Sequence, residues 1–391
     1  MLLRYNRNDK LKSSTYCWYR GSKQLNAVLK TKTASVTYSK SAVKRAGETL
    51  VIPNIASKDP ERHLQALKVL SYWRACHLAP LEAAVRELED VVRIRHKNAI
   101  VAKRLKRTPS IVAKLQRHTQ MDLQNMQDIG GCRVIVRSLK HVSQVRRALA
   151  GREDYRVKDY IKTPKEDGYR GIHLIGKFPG EVRESKFHIE IQLRTEIQHA
   201  WATALEIIDL FTRQRLKAND GKPEWQEFFR IASDAFTELD GGNIDQKQHK
   251  EICLQVSRLA DRLRIVERFH AFSRSLKILE EFGVKAVEGY YLLEIDTNKT
   301  TLQYKFFPIE AYNFAVEDYL SAETAGLKSP NLVIALVSTD SLSGLKEAYP
   351  NYFADSAVFV GHLETIIARA KVANPHWLMR FFLGLSRDPK R

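Results

Sequence analysis

Polar and apolar side chains alternate along the run His188-Ile-Glu190-Ile-Gln192-Leu-Arg194. A period of two is typical of a β-strand, and it places the four polar side chains on one face of that strand. The apolar face is expected to pack on a core. A face that carries an acid, an amide and a cation is costly to build unless polar groups meet it. The run therefore predicts a strand that presents its polar face to a ligand.

A second β-type run, Arg133-Val-Ile-Val-Arg137, follows Asp128 by a few residues. If both runs belong to one sheet, Asp128 is placed to meet Glu190 across it. The two carboxylates stand among many Arg and Lys residues, and Mg²⁺ prefers one or two carboxylates together with phosphate oxygens. Taken without any family in mind, the pair predicts a site for a divalent metal and a polyphosphate.

A basic stretch precedes these runs. Residues 93–117 hold nine Lys or Arg and no acid. If Ser110 caps a helix there, Lys114 and Arg117 lie close together on one face of it. A run of charges is more often a solvated surface, but the complete lack of acids favours a phosphate-binding face.

A glycine-rich loop follows the second run. Between Pro164 and His173, Gly168 and Gly171 give the backbone freedom to approach a ligand closely. Tyr169 between them offers a flat face to a base. Each patch alone is typical of an ordinary surface, but four such patches between residues 104 and 206 favour a single phosphate-handling site.

These patches resemble the synthetase domain of the RelA/SpoT family over roughly residues 60–245. The motifs that carry the resemblance are Asp128-x-x-x-x-Arg133, the 159–173 run and Glu190-Ile-Gln-Leu-Arg194-Thr195. The resemblance implies a nucleotidyltransferase-like mixed β-sheet flanked by helices. It also implies an enzyme that moves the β,γ-pyrophosphate of ATP onto a ribose 3′-hydroxyl and releases AMP, with Mg²⁺ as the cofactor.

The resemblance further assigns roles to individual positions. Asp128 and Glu190 are the expected catalytic and Mg²⁺-binding residues, with Glu190 as the base or a second metal contact. The positions expected to bind ATP are Arg104, Lys106, Ser110, Lys114 and Arg117. The positions expected to bind the acceptor are Lys162, Lys165, Tyr169, His173, Gln192, Arg194 and His199, with Tyr169 stacking on the acceptor base.

Composition bounds the partners and the compartment. The chain has 391 residues, with 64 Lys or Arg against 45 Asp or Glu and a formal net charge of +19. This charge favours an anionic partner larger than a nucleotide, such as RNA, DNA or an acidic membrane surface, over a merely soluble basic protein. The four cysteines form no C-x-x-C pair, which indicates a reducing, cytoplasmic protein without a zinc knuckle. No apolar run approaches the length of a membrane span.

Three segments are predicted, giving an α+β protein. They are a basic N-terminal arm at 1–37, the synthetase domain at 38–243 and a smaller α+β domain at 244–391 that follows Gly241-Gly242-Asn243. In the last segment the pattern predicts one long helix at 246–281 and then strands at 290–295 and 301–307, a helix at 310–325 and a strand at 331–337. A helix at 341–349, a strand at 356–361 and a helix at 362–371 follow. This segment has no cluster of catalytic residue types. We expect it to restrain the synthetase until an activating protein partner or ligand binds.

Three functions remain open. We favour the 3′-terminal adenosine of tRNA as the acceptor, as in toxic family members, which would make the chain a translation inhibitor restrained by its own C-terminal domain and suited to phage defence. In the second, GDP or GTP is the acceptor and the product is the alarmone ppGpp or pppGpp of the stringent response. In the third, the chain is a nucleic-acid-binding module with a degenerate site. The sequence has neither a G-x-x-x-x-G-K-[ST] loop nor a His-Asp dipeptide, so ordinary NTPase chemistry and the family's hydrolase half are not expected.

Overall fold

The computed structural model describes most of the chain between residues 37 and 372. The described ranges are 37–96, 98–150, 155–181, 185–212, 216, 221–281, 289–296, 301–326, 329, 332–338 and 352–372. Apart from Thr37, the predicted basic arm lies outside them. The strands are β1 Ile100–Leu105, β2 Gly130–Val136, β3 Arg156–Asp159, β4 Ile172–Pro179, β5 Lys186–Thr195, β6 Gly289–Asp296, β7 Thr301–Pro308 and β8 Leu332–Ser338.

The α-helices of the described chain frame these strands. They are α1 Lys40–Leu50, α2 Ile55–Lys58, α3 Pro60–Ala75, α4 Leu78–Arg95, α5 Thr108–Arg117, α6 Leu139–Ala150, α7 Glu196–Thr212, α8 Pro223–Leu239, α9 Gln246–Leu263, α10 Ile265–Glu281, α11 Tyr312–Gly326 and α12 Tyr352–Val372. None of them is long and apolar enough to cross a membrane.

The first five strands form one mixed sheet in the order β1-β2-β5-β4-β3. β2 and β5 run parallel, and the other neighbouring pairs are antiparallel. Helices α4 and α6 cover the apolar face, since Leu88 and Val145 are buried in one cluster with Val134 and Ile191. The predicted mixed sheet flanked by helices is therefore confirmed.

The register of this sheet assembles the polar face. Gly131 of β2 lies opposite Glu190 of β5, and Arg133 lies opposite Gln192. Across the next pair, Gln192 lies opposite His173 of β4. Residues opposite each other in neighbouring strands share a face of the sheet. Polar side chains from three strands therefore stand together on the face that the helices leave free.

Helix α5 starts earlier than the sequence predicts. Arg107 is extended and precedes the helix, and Pro109 lies in its first turn, where a missing N–H costs nothing. Ser110 therefore sits inside the first turn, and the prediction that it caps the helix is wrong. The last turn still carries Lys114 and Arg117.

One hydrophobic core joins α7 and α8 to the C-terminal segment. Trp201 of α7 and Phe229 of α8 are buried in the same cluster as Phe359 and Leu363 of α12. The Phe359 ring centre lies 6.0 Å from that of Phe229 and 5.6 Å from that of Phe236. The glycine pair after α8 therefore separates two stretches of sequence that pack into a common core.

The C-terminal segment departs from the predicted pattern in two places. The predicted helix at 246–281 is two helices, because Arg264 adopts a left-handed conformation, with φ of 50°, and ends α9. The predicted strand at 356–361 belongs to α12, where Phe359, Leu363 and Ile366 recur at helical spacing and are fully buried. A short apolar run does not by itself separate a strand from a buried helix.

The predicted smaller α+β unit is confirmed in its main parts. Strands β6, β7 and β8 form an antiparallel sheet in the order β7-β6-β8. Helix α11 packs on this sheet through Ala315, which is buried with Leu292, Phe307 and Leu336. The helix predicted at 341–349 lies outside the described residues.

Candidate active site

A cavity of about 290 Å³ opens on the polar face where β1, β2 and β5 meet. These strands and the segments after β1 and before β2 supply its lining. The lining residues are Val101, Ala102, Lys103, Arg104, Lys106, Asp128, Gly131, Cys132, Arg133, Glu190 and Gln192. Asp128 and Glu190, which stand 62 positions apart in the chain, thus share one cavity.

Asp128 lies between two ammonium groups. Lys106 Nζ is 3.0 Å from its Oδ2, and Lys114 Nζ is 2.8 Å from its Oδ1. The lysines come from different elements, since Lys106 follows β1 and Lys114 lies on α5. Burial raises the pKa of Asp128, but the two cations lower it more, so this pKa lies below its usual value. Asp128 is therefore ionised at neutral pH, and its two partners are cations that can also bind phosphate.

Glu190 belongs to a closed ring of five hydrogen-bonded side chains. Its Oε1 lies 2.9 Å from His173 Nδ1, and its Oε2 accepts from Gln192 Nε2 at 2.7 Å. His173 Nε2 lies 2.7 Å from the Tyr169 hydroxyl. Arg194 closes the ring by donating from Nε to that hydroxyl at 3.1 Å and from Nη2 to Gln192 Oε1 at 2.8 Å. We call these five side chains the Glu190 ring.

All donors in the Glu190 ring point from Arg194 towards Glu190. Arg194 can only donate, so the Tyr169 hydroxyl accepts from it and gives its own proton to His173 Nε2. His173 then carries a proton on Nδ1 and donates it to Glu190. A second path of hydrogen bonds runs in the same direction through Gln192, which accepts from Arg194 and donates to Glu190. The ring thereby selects one neutral tautomer of His173.

This arrangement keeps Glu190 ionised although it is buried. Burial acts to raise the pKa of Glu190. The hydrogen bonds from His173 and Gln192 outweigh burial and lower this pKa to about 2. Burial also lowers the pKa of His173, which favours its neutral form. A carboxylate with so low a pKa is a weak proton acceptor at neutral pH. Glu190 therefore suits a metal ion or a hydrogen bond from a hydroxyl better than it suits strong general-base chemistry.

The Tyr169 ring is flanked by cations. Tyr169 is 8% exposed, and Lys165 Nζ and Arg194 Cζ lie 4.8 Å and 4.9 Å from the centre of its aromatic ring. Gly168 makes the preceding turn with a φ of +91°, and a Cβ atom there would lie 2.9 Å from the Arg230 Cα. A base that stacks on Tyr169 has to compete with these cations for the ring, so the stacking role stays a prediction.

The structure brings only part of the predicted ATP-binding set to the cavity. Arg104 and Lys106 line it, and Lys114 reaches it through Asp128. Ser110 and Arg117 are not lining residues. Arg117 is exposed, and its Nε donates to the Ala113 carbonyl within α5.

The predicted acceptor set is divided in the same way. Gln192 lines the cavity and connects to Tyr169, His173 and Arg194 through the Glu190 ring. Lys165 joins this group over the Tyr169 ring. Lys162 is exposed at the start of the loop, and His199 is buried in α7, so neither lines the cavity.

Arg133 is a site residue that the sequence reasoning missed. It lines the cavity, is 7% exposed and lies opposite Gln192 in the sheet. A signal was present, because Arg133 is the one charged residue of β2 and a buried cation needs polar or anionic partners. The period-two argument applied to β5 would have placed Arg133 on the same face.

The fit of Mg²⁺ depends on the nucleotide. Among the described residues, no group of three or more His, Cys, Asp and Glu side chains could hold a metal ion. Asp128 and Glu190 nevertheless line one cavity and are both ionised. Two carboxylates are what Mg²⁺ uses when phosphate oxygens and water complete its coordination. The residues therefore fit an ion that arrives with a polyphosphate.

Comparison with known proteins locates a family region over this site. Residues 103–207 match a family model described as "Region found in RelA / SpoT proteins". The chain is 34% identical over 110 residues to the GTP pyrophosphokinase YjbM and 37% identical over 110 residues to the GTP pyrophosphokinase YwaC, both of Bacillus subtilis (strain 168). Each match covers 26% of this chain and 52% of the relative. The chain thus spans about half the length of these relatives.

The chain is also similar to a solved structure. It is the small alarmone synthetase 1 from Bacillus subtilis bound to its product pppGpp, which is 26% identical. The match covers 43% of this chain and 93% of that structure, with a TM-score of 0.37.

Proposed function

We propose that this chain is an ATP-dependent pyrophosphokinase of the RelA/SpoT kind, and the match of residues 103–207 to that family's model supports the proposal. It transfers the β,γ-pyrophosphate of ATP to a ribose 3′-hydroxyl and releases AMP. The observation that carries the proposal is one cavity in which two ionised carboxylates, Asp128 and Glu190, stand among Arg and Lys side chains. Transfer of a phosphoryl group depends on such charges for positioning and for electrostatic stabilisation.

The donor side of the proposed reaction lies at Asp128. ATP binds along Arg104, Lys106 and Lys114, and the two lysines exchange Asp128 for phosphate oxygens. Asp128 and Glu190 are the residues that would hold Mg²⁺, which neutralises charge on the phosphate oxygens when it is bound. Arg133 adds a buried positive charge to the same cavity.

The acceptor side lies at the Glu190 ring. Glu190 accepts a hydrogen bond from the acceptor's 3′-hydroxyl and orients its oxygen towards the β-phosphorus. The new bond joins that oxygen to the β-phosphorus, the bond between the β-phosphorus and the oxygen of AMP breaks, and the hydroxyl proton is released to water. Gln192 and Arg194 hold Glu190 in place, and Lys165 is available to an acceptor phosphate.

We propose the 3′-terminal adenosine of tRNA as the acceptor. The net charge of +19 supports an acceptor larger than a nucleotide. The register of β3, β4 and β5 supports it too, because Arg156 lies opposite Ile175, which lies opposite Glu190, and Lys177 lies opposite His188. Basic side chains therefore continue from the Glu190 ring along the same face of the sheet.

GDP or GTP is the second candidate acceptor. The names of the two Bacillus subtilis relatives support it, since both are GTP pyrophosphokinases. In this case the product is ppGpp or pppGpp. A nucleotide needs only the cations around the Glu190 ring, and the rest of the basic face would then serve no purpose in the reaction.

A transfer assay separates these proposals. The full-length protein is incubated with Mg²⁺ and ATP labelled in its γ-phosphate, together with bulk tRNA, GDP or GTP. We expect label on tRNA and release of AMP, both lost in Asp128→Ala. Label on GDP or GTP alone would select the second acceptor. Absence of label on every acceptor would leave the nucleic-acid-binding module as the remaining function.

The C-terminal segment is proposed to restrain this activity until a protein partner relieves it. Support comes from the packing of α12 on α7 and α8, the two helices that follow the catalytic strand. None of the cavity-lining residues belongs to the described part of 246–391. We therefore propose that restraint acts through these helices. Removal of 246–391 would expose Phe229 and Phe236, so point variants of the full chain are the appropriate test.

A further inference from the structure

Helix α8 contacts both segments that carry the Glu190 ring. Ser233 Oγ donates to the Gly168 carbonyl at 2.6 Å, and Asp234 accepts from Arg170 Nη2 at 2.7 Å. These bonds tie α8 to the glycine-rich loop. Asp240, which ends α8, contacts the corner between β5 and α7. One helix therefore supports both the loop and the catalytic strand.

Asp240 closes the corner between β5 and α7. Its Oδ2 accepts from Thr195 Oγ1 at 2.8 Å and from Gln198 Nε2 at 3.0 Å. Thr195 and Gln198 also bond each other, because the Gln198 N–H donates to Thr195 Oγ1 and the Thr195 N–H donates to Gln198 Oε1. This reciprocal pair is a capping box at the start of α7. We call Thr195, Gln198 and Asp240 the corner clamp.

Helix capping alone does not account for Asp240. The Thr195–Gln198 pair already satisfies the backbone donors of the box by itself. Asp240 is 8% exposed, and its Oδ1 has no hydrogen-bond partner among the described residues. Burial raises the pKa of Asp240 to about 6, against the lowering effect of its two hydrogen bonds. A buried carboxylate with an unsatisfied oxygen costs stability, so a role other than stability is needed to explain it.

The corner clamp holds Thr195, which is the neighbour in sequence of Arg194 in the Glu190 ring. Thr195 follows Arg194 directly, and Arg194 is the donor at the head of both paths of hydrogen bonds in the Glu190 ring. A shift of the corner therefore moves Arg194 away from the Tyr169 hydroxyl and from Gln192. Glu190 would keep its position in the strand but lose the bracing that sets the direction of its lone pairs.

We infer that Asp240 is a positioning residue for pyrophosphate transfer, which holds the corner between β5 and α7 so that Arg194 keeps the Glu190 ring closed. The inference rests on the proposed function. Asp240 is not among the residues that line the cavity, so its effect reaches the reaction through Thr195 and Arg194. Because Asp240 ends the helix that packs against α12, the corner clamp also stands where the C-terminal segment meets the synthetase.

Three variants of the full-length chain separate positioning from local stability. Asp240→Ala removes the acceptor of both clamp bonds, whereas Asp240→Asn keeps an oxygen in its place. Asp245→Ala is the matched control, because Asp245 is an exposed carboxylate that caps α9 by accepting from the Gln248 N–H. We expect Asp240→Ala to lower kcat between about tenfold and a hundredfold without changing the KM for ATP, as small misplacements in active sites do. Asp240→Asn should restore most of the rate, and Asp245→Ala should keep the wild-type kcat.

Hydrogen exchange provides a readout that does not depend on turnover. In Asp240→Ala, the amides of residues 190–198 should exchange faster than in the wild type and in Asp245→Ala. If the wild type transfers pyrophosphate to no acceptor, the proposed function fails. Hydrogen exchange alone then tests whether Asp240 holds the corner between β5 and α7. Wild-type exchange at 190–198 in Asp240→Ala would overturn the inference whatever the rate. So would equal losses of kcat in Asp240→Ala and Asp245→Ala.

Discussion

Asp128 and Glu190 line the same cavity, but the protein holds the two carboxylates in different ways. Asp128 is paired with two lysines that come from different elements. Glu190 accepts from two neutral side chains that are braced by Arg194 in a closed ring. A lysine ammonium is a mobile charge on a flexible stem, whereas members of a hydrogen-bonded ring restrain one another. The Asp128 side of the cavity is thus built to exchange partners, and the Glu190 side is built to stay in place.

Asp128→Asn should have the largest effect. Loss of the charge removes one ligand for Mg²⁺, and we expect transfer to fall by about a hundredfold to a thousandfold. Both lysines are then free to bind phosphate, so binding of ATP without Mg²⁺ should be unchanged or tighter. A label-transfer assay and a binding titration measure the two quantities. A wild-type rate would contradict the proposed role of Asp128, and unchanged thermal unfolding would confirm that the fold is retained.

Tyr169→Phe tests whether the hydroxyl of Tyr169 in the Glu190 ring contributes more to the transfer rate than stacking of a base on its aromatic ring. Stacking of a base needs only the aromatic face, so it predicts that Phe keeps most of the activity. The Glu190 ring predicts a loss, because Phe removes the hydroxyl that joins Arg194 to His173. We expect a fall of about tenfold in kcat with Phe, and a further loss of acceptor use with Ala, since stacking is worth about 1–3 kcal/mol per base. Steady-state kinetics with varied acceptor would distinguish the two, and a fully active Phe variant would favour stacking.

Lys106→Met and Lys114→Met weaken the donor side one cation at a time. Each variant leaves Asp128 with one lysine, so we expect the KM for ATP to rise only by about three- to tenfold. Removal of a cation also raises the pKa of Asp128. Asp128 then takes up a proton at a higher pH, and the acidic limb of the kcat/KM profile should move to higher pH. An acidic limb that stays in place would mean that another group sets it.

Asp240 provides a third buried carboxylate for the comparison. Both of its donors are neutral and bond one oxygen, and its pKa rises to about 6, above the reference of 3.8, because burial outweighs those bonds and the nearby Arg170 charge. The folded state then holds a proton that the unfolded state has lost, so stability from this group falls as the pH rises from about 4 to 6 and is constant above. Relative to Asp240→Asn, the wild type should lose about 1 kcal/mol of unfolding free energy between pH 5 and pH 7. Urea titrations at the two pH values test this difference, and parallel curves would contradict it.

Local pattern was sufficient for the part of the site that lies on one strand. The alternation from His188 to Arg194 predicted both the strand and the face that carries Glu190, because side-chain direction in a strand follows from sequence parity. The placement of Asp128 beside Glu190 needed only the assumption of a common sheet. The mixed sheet was implied by the resemblance to the RelA/SpoT family, and the pattern of the last segment indicated the small C-terminal unit.

Tertiary contacts decided what the sequence could not predict. Asp240 reaches Thr195 across 45 positions, and no local pattern marks a carboxylate that acts at such a separation. The break at Arg264 is equally hidden, since an arginine in the left-handed region is uncommon. The apolar run at 356–361 fits a strand by its local pattern. Its contacts with α7 and α8 bury the apolar side chains of a helix instead.

The core shared by α7, α8 and α12 also sets the order in which the chain matures on the ribosome. The chain leaves the ribosome from its N-terminus, so β1 to β5 with α4 and α6 can pack long before α12 is made. Trp201 and Phe229 must wait for Phe359 and Leu363 before their cluster closes. The helices α7 and α8 therefore reach their final packing only after residues 352–372 have been made. A nascent chain that stops before α12 carries the five-stranded sheet without the packing that completes the core of α7 and α8.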